Sequence, residues 1–415
     1  MSKTLGPVAA LLLSVALLLM GSGLQNTLTP VRAGIENFSA LSVGGLGAGY
    51  YGGFVLGCLA GPWLVRRAGH IRTFAAMVAI ASAAALIHPL FVDVTVWVAM
   101  RVVTGFCLAG LFMIIESWLN EKATNETRGL IFSVYLVINL SVVTIGQLMM
   151  MLDDPANFAL FTLASILVSL AAVPLSMTRS EQPTPPSVVR LRLVRLFRLS
   201  PVGVVGAFVV GMSNGAFWML GPVFASKLGA GGDSAAIFMA CGAVAGALGQ
   251  WPLGRASDRM DRRRLIVLAC GLGAAAGVCM WTFGGGSETI RLACIFAYGM
   301  FAIPLYALVA AHMNDMVEAD GFVEAASGLL LTFSIGAVLG PILGSAAMDL
   351  FGTLALFAFT ALAHLVLAMF TLLRMRVRDA ASEEERGDFT DAIMQAQTVA
   401  QVDPLETPDD PTPKP

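Results

Sequence analysis

Apolar runs of about 20 residues, or slightly longer, follow one another along the chain with only short polar intervals between them. Twelve such runs begin near Leu5, Ser42, Thr73, Thr95, Leu130, Ala156, Pro201, Ser234, Leu265, Arg291, Ala326 and Thr353. A helix of that length rises about 30 Å, the thickness of the hydrocarbon layer of a bilayer. The pattern predicts an all-α membrane protein with twelve transmembrane helices. Residues 1–28 also have the shape of a cleaved leader, but their long apolar stretch and the lack of a small-x-small cleavage site favour a first span.

The pattern repeats. Met20-x-x-Gly23 with Leu28-x-Pro30-Val31 returns as Met212-x-x-Gly215 with Leu220-x-Pro222-Val223, an offset of 212 − 20 = 192 residues. The arginine cluster of Pro62 to Arg72 returns in Gly254 to Arg264 at the same offset. Duplicated halves of this kind are a transporter signature. The expected organisation is a six-helix bundle over 1–178, a basic linker over 179–200, a second six-helix bundle over 201–373, and an acidic tail over 374–415.

Composition sharpens this reading. The chain is 57% hydrophobic and 13% charged, against about 25% charge in soluble domains. Assigning alternate loops to opposite sides puts 21 of the 25 Lys and Arg on the side of both termini, which makes both termini cytoplasmic by the positive-inside rule. The linker carries Pro183, Pro185 and Pro186 and then Arg190, Arg192, Arg195 and Arg198 among apolar residues. Such a segment suits a membrane surface with anionic headgroups. The tail holds ten acids and five bases, a composition expected to be disordered. All six cysteines fall inside spans, so no disulfide or zinc framework is expected.

Glycines recur every fourth residue in the second span (Gly45, Gly49, Gly53, Gly57, Gly61), and the eighth keeps the spacing with Gly242, Gly246 and Gly254, Gln250 standing between the last two. Such stripes let another backbone approach closely, as a fixed contact or as a sliding surface. In the eleventh span Gly340-Pro341 suggests a bend.

The chemistry resides in a few polar residues. No G-x-x-x-x-G-K-[ST] loop or His-Glu-x-x-His pattern occurs, and His70, His88, His312 and His364 fall on four different segments. An enzyme, a metal site, a cofactor and a nucleic-acid partner are therefore not expected. Ionisable groups within spans are costly, so each calls for a reason. Arg101 suits an anion-binding or proton-linked role, or a side chain snorkelling outward. Glu116 suits a gate latch or a protonatable coupling group. Gln25, Asn26, Tyr135, Asn139, Asn214, Trp218, Tyr298 and Tyr306 supply amides and aromatics for a shared cavity, with Gln147 in the same span as Asn139. The loop from His312 to Glu324 carries Asp315, Glu318, Asp320 and Glu324 without a Lys or Arg. It could latch onto Arg255, Arg259, Arg262, Arg263 or Arg264.

The hairpin Gly254-x-x-x-Asp258-Arg259-x-x-Arg262-Arg263 resembles the hallmark loop of the major facilitator superfamily, with Asp261 where a glycine is usual. The first-half copy keeps Arg67 and Gly69 and has Arg66 at the aspartate position. Arg101-x-x-x-Gly105 is similar to that superfamily's fourth-helix arginine element. Glu116-Ser117-Trp118, Gln250-Trp251-Pro252-Leu253-Gly254 and Leu305-Tyr306 with Ala311-His312 look like its YcaD-type bacterial branch. The resemblance covers residues 5–375. It implies two pseudo-symmetric bundles around a central cavity lined mainly by spans one, four, seven and ten, a cytoplasmic gate at the two arginine hairpins, and a monomer in the inner membrane. The activity it implies is secondary transport with no settled substrate. Protons are the expected coupling ion. Efflux of a small organic solute is favoured over uptake because the cavity candidates are aromatic and amide rather than strongly charged, while Arg101 keeps anionic substrates open. Uptake, facilitated passage, or a sensor on the same fold are the alternatives.

Overall fold

A computed structural model describes residues 8–122, 127–177, 192–229, 231–317 and 321–377. Residues 179–191 of the expected linker, most of the expected tail, and Glu318 and Asp320 lie outside these. Twelve helical segments are long and apolar enough to cross a membrane.

In the first half these are α1 (Ala9–Ile35), α2 (Ala40–Ala68), α3 (His70–Leu90), α4 (Val94–Lys122) and α5 (Arg128–Leu148), followed by a sixth span made of α6 (Ala159–Leu170) and α7 (Ala172–Ser176). The short α8 (Leu193–Leu199) leads into α9 (Pro201–Leu228), α10 (Gly232–Ser257) and α11 (Arg262–Phe283). A tenth span made of α12 (Glu288–Ala302) and α13 (Leu305–Asn314) precedes α14 (Phe322–Phe351) and α15 (Ala355–Met375).

Two spans are broken where the sequence suggests continuous helix, and proline explains both. A helical proline lacks an N–H and its ring crowds the carbonyl four residues back. Pro174 interrupts the sixth span at Ala171, and Pro304 interrupts the tenth at Ile303. By contrast, α14 runs unbroken through Pro341. Serine caps three of the helix starts. Ser39, Ser200 and Ser287 accept backbone N–H bonds from Ser42, Gly203 and Ile290. The chain turns from α2 into α3 on Gly69 alone, whose φ of 81° strains any residue with a side chain.

Glycine sets the pairing of helices within each half. A methyl on Gly53 would strike the Val102 carbonyl, and one on Gly105 the Tyr50 carbonyl, so α2 and α4 cross at backbone contact. Gly249 facing Met300, and Gly299 facing Gly242, repeat this between α10 and α12. Gly23 and Gly146 join α1 to α5, as Gly211, Gly336 and Gly340 join α9 to α14. Thus the sequence repeat becomes a repeat of packing, and the fold is two pseudo-symmetric six-helix bundles.

The apolar core is divided unevenly. One buried cluster belongs to the first bundle, from Val15 and Leu18 to Leu111, Ile115 and Leu175. A second belongs to the other bundle, from Val210 and Leu265 to Leu308 and Leu367. Both occupy the end that carries the two described termini. At the opposite end a single cluster spans the bundles and includes Leu28, Trp97, Phe161, Phe217, Phe224 and Phe357. There Gly44 and Gly47 of α2 pack against Pro341 and Ser345 of α14 and Met219 of α9. The bundles are therefore sealed together on the face away from the termini and separately cored on the terminal side.

Candidate functional site

A cavity of about 270 Å³ lies between the bundles, with the shared core beyond it. Its polar lining is Asn26 and Thr27 from α1, Tyr50 and Tyr51 from α2, and Asn139 and Gln147 from α5, with Ser22 and Ser334 beside them. Phe54, Phe112, Trp218 and Phe333 supply the aromatic walls, and among the described residues none that lines the cavity is charged.

Arg101 stands just behind this lining. It is fully buried, 0% exposed, so it does not snorkel toward a surface. Its Nη2 donates to Asn26 Oδ1 at 2.9 Å, and its guanidinium carbon lies 4.5 Å from the Tyr50 ring centroid. Asn26 also bonds the Tyr50 hydroxyl. Among the described residues the Arg101 Nε and Nη1 have no hydrogen-bond partner. A buried cation with unspent donors is unusual, because unpaired buried polar groups are penalised. Asn26 and Tyr50 therefore connect the charge to the cavity without placing it on the wall.

The other candidate residues distribute around this centre. Asn26, Asn139 and Trp218 line the cavity. Tyr135 is buried one turn from Asn139 and hydrogen-bonds it, and Glu116, 3% exposed, lies within electrostatic reach of both Tyr135 and Cys58. Gln25 is buried with Nε2 unpartnered, and Asn214 with Oδ1 unpartnered. Tyr298 sits deeper, its hydroxyl 3.1 Å from Ser213, whose Oγ is 3.2 Å from His364 Nε2. Tyr306 packs its ring 4.8 Å from that of Phe333. Tyr298 and Tyr306 thus back the wall without lining it. The tenth span contributes no lining residue, whereas α2, α5 and α14 contribute more than the resemblance suggests.

Tyr50 and Tyr51 do not stand out in the sequence, because the glycine stripe of α2 marks that helix as a packing surface. The usable signal is that they are two of only five tyrosines, set in an otherwise small-residue helix.

On the terminal side, Arg66, Arg67, Asp258 and Arg259 are exposed, and Gly254, Arg262 and Arg263 are buried. Arg67 lies over the Trp63 ring at 5.4 Å. Arg262 Nε is 3.1 Å from Asp315 Oδ2, and Arg262 Nη2 is 4.0 Å from Asp258 Oδ1. Arg263 forks onto Asp261, with Nε to Oδ1 at 3.2 Å and Nη2 to Oδ2 at 3.0 Å. Glu324 receives Arg195 at 3.3 Å and Arg192 at 3.5 Å, tying the linker's end to α14. Burial pushes the Asp261 carboxyl up, but the bonds and charge of Arg263 prevail and hold it below the usual aspartate range.

The sequence matches the family model of the Major Facilitator Superfamily over residues 11–323 and 203–405. It is 26% identical over 337 residues to the uncharacterised MFS-type transporter YcaD of Escherichia fergusonii, covering 81% of this chain and 87% of that one. Its fold is similar to that of the nucleoside transporter NupG, with a TM-score of 0.75 at 11% identity over 89% and 99% of the two chains. It is likewise similar to a bacterial homologue of the lysosomal transporter Spinster in an inward-facing, occupied conformation, with a TM-score of 0.72 at 15% identity over 92% and 97%.

Proposed function

The chain belongs to the Major Facilitator Superfamily and is a multi-pass membrane transporter of small solutes, not an enzyme; from that premise we propose that it exports a small neutral organic solute from a bacterial cytoplasm in exchange for protons. The observation that carries this reading is the charge-free aromatic and amide cavity backed by the buried Arg101. A charged solute would lose its hydration there without meeting an opposite charge on the wall, a heavy penalty. A neutral one exchanges water for ring faces and for the amides of Asn26, Asn139 and Gln147.

With both termini cytoplasmic, as the cation distribution supports, the sealed face is periplasmic, and the separately cored side, where Leu330 still packs on the first bundle, is the side that would open to the cytoplasm. Closure on the cytoplasmic side would draw the arginine hairpins at Arg66, Arg67 and Gly69 and at Gly254, Asp258 and Arg259 toward the opposite bundle. Arg101 suits proton coupling because its unspent donors can bind whichever partner is deprotonated as the cavity changes state. The superfamily's monomer is the working unit, held among membrane lipids.

The test is a pre-formed proton gradient in inside-out vesicles, read by a quenched dye as pools of small metabolites and drug-like organics are added. Dissipation that requires the intact protein, and that neutral solutes evoke, supports proton-linked export. Silence across all pools, with binding still measurable by thermal shift, overturns the coupling and moves the reading to a facilitator or to a symporter running inward.

A further inference from the structure

Cys279 Sγ and Cys294 Sγ lie 3.2 Å apart, one on α11 and the other on α12. We propose that they form a redox-modifiable dithiol which small-molecule disulfides convert into an intramolecular disulfide. Cys279 is four residues from the end of α11 and Cys294 six residues from the start of α12. At 1.5 Å per residue that is about 6 Å and 9 Å below the helix ends. Trp281 and Phe283, 47% and 61% exposed, flank the pair as aromatics do at a membrane interface. The pair therefore sits near the face away from the termini, within reach of a reagent in the headgroup layer.

The two sulfurs differ in access, which sets the order of events. Cys279 is half-buried and Cys294 is 6% exposed. The Cys279 thiolate attacks one sulfur of the disulfide reagent, forming a mixed disulfide and expelling one thiolate. The Cys294 thiolate then attacks the Cys279 sulfur and expels the second. The pair loses two electrons and two protons, and the reagent gains both as two thiols. Cys294 has no comparable competitor: Cys241 directs its thiol to the Leu292 carbonyl at 3.7 Å, and Cys58, Cys107 and Cys270 have no sulfur contact among the described residues. The product would bridge the ends of the α11–α12 hairpin, whose turn is otherwise held by Arg291 Nη1 donating to the Gly284 carbonyl at 3.2 Å.

The experiment treats the purified full-length protein with dithiodipyridine, then unfolds it and counts thiols with a maleimide by intact mass. The expected result is a fall from the six cysteines of the sequence to four, with no retained pyridine adduct and a peptide map joining Cys279 to Cys294. Cys294→Ser should instead retain one adduct on Cys279, and Cys241→Ser should cross-link as the parent does. Six remaining thiols, a stable adduct on Cys279 in the parent, or a bridge to Cys241 would each overturn the proposal. The parent measurement needs no variant to fold.

Discussion

Arg262 and Asp315 form an ion pair with a 3.1 Å approach between side chains only 1% and 3% exposed, joining the start of α11 to the end of α13. Asp258, the carboxylate the hairpin motif points to, is 41% exposed and reaches Arg262 only at 4.0 Å.

The carboxylate of the acidic loop should therefore matter more for stability than that of the motif. Removing one partner of a buried pair costs about 3–5 kcal/mol, whereas an exposed pair contributes about 0–1 kcal/mol. Asp315→Asn should lower the thermal midpoint of the detergent-solubilised protein clearly, and Asp258→Asn only slightly. The double change Arg262→Met with Asp315→Leu should recover much of the loss. Equal midpoints for the two aspartate variants would overturn this ranking.

Asp261 gives a pH signature. It caps α11 by accepting the Arg263 backbone N–H at 3.0 Å and takes the forked Arg263 side chain. Its carboxyl is held below the usual value, so its stabilisation is fully present above the ordinary aspartate pKa of about 3.9 and is lost as pH falls through the folded value. Asparagine still caps the helix but loses the charge that holds the Arg263 fork, so Asp261→Asn should destabilise by about 1 kcal/mol at neutral pH. The gap between parent and variant in thermal midpoint should hold steady down to about pH 4 and shrink below it. A gap unchanged in more acidic buffer would argue against an ionised cap.

Arg101 can be tested by separating charge from geometry. Arg101→Ala should abolish coupled flux in the vesicle assay while leaving folded protein in the membrane. Arg101→Lys keeps the charge but loses the planar fork that meets Asn26 and the face that stacks on Tyr50. A charge-assisted hydrogen bond is worth about 1.5–3 kcal/mol, or about tenfold or more in an equilibrium. Flux with lysine should fall by about that factor. Wild-type flux in Arg101→Lys would reduce the residue's role to charge alone.

How much was legible in the sequence follows from which forces act locally. The spans, their repeat and the glycine stripes were visible because hydrophobicity and side-chain volume are properties of single positions. The acidic loop was visible as a cluster, and Arg262 stood among five candidate partners; choosing it required the packing of α13 beside α11. The cavity was legible in its type, amide and aromatic, but not in its membership. Tyr298 is as polar as Tyr50, and only the helix crossings decide that one backs the wall while the other forms it. The Cys279 and Cys294 contact was not legible at all, because the two lie 15 positions apart on either side of a turn.

The crossing of α2 and α4 ties packing to the site and gives the last prediction. Gly105 faces the Tyr50 backbone carbonyl with no room for a methyl, and Tyr50 carries the ring that covers Arg101. Gly105→Ala must push α2 away and draw Tyr50 with it. Overpacking of this kind costs about 1–3 kcal/mol, and here it should also impair coupled flux although residue 105 does not line the cavity. Gly271, in the middle of α11, has nothing within 4 Å of where a methyl would stand. Gly271→Ala should therefore stabilise the helix by up to about 1 kcal/mol and leave flux unchanged. Measured together by thermal unfolding and vesicle flux, the two alanines should move in opposite directions. If Gly105→Ala keeps both its midpoint and its flux, close approach at that glycine does not hold Tyr50 against Arg101.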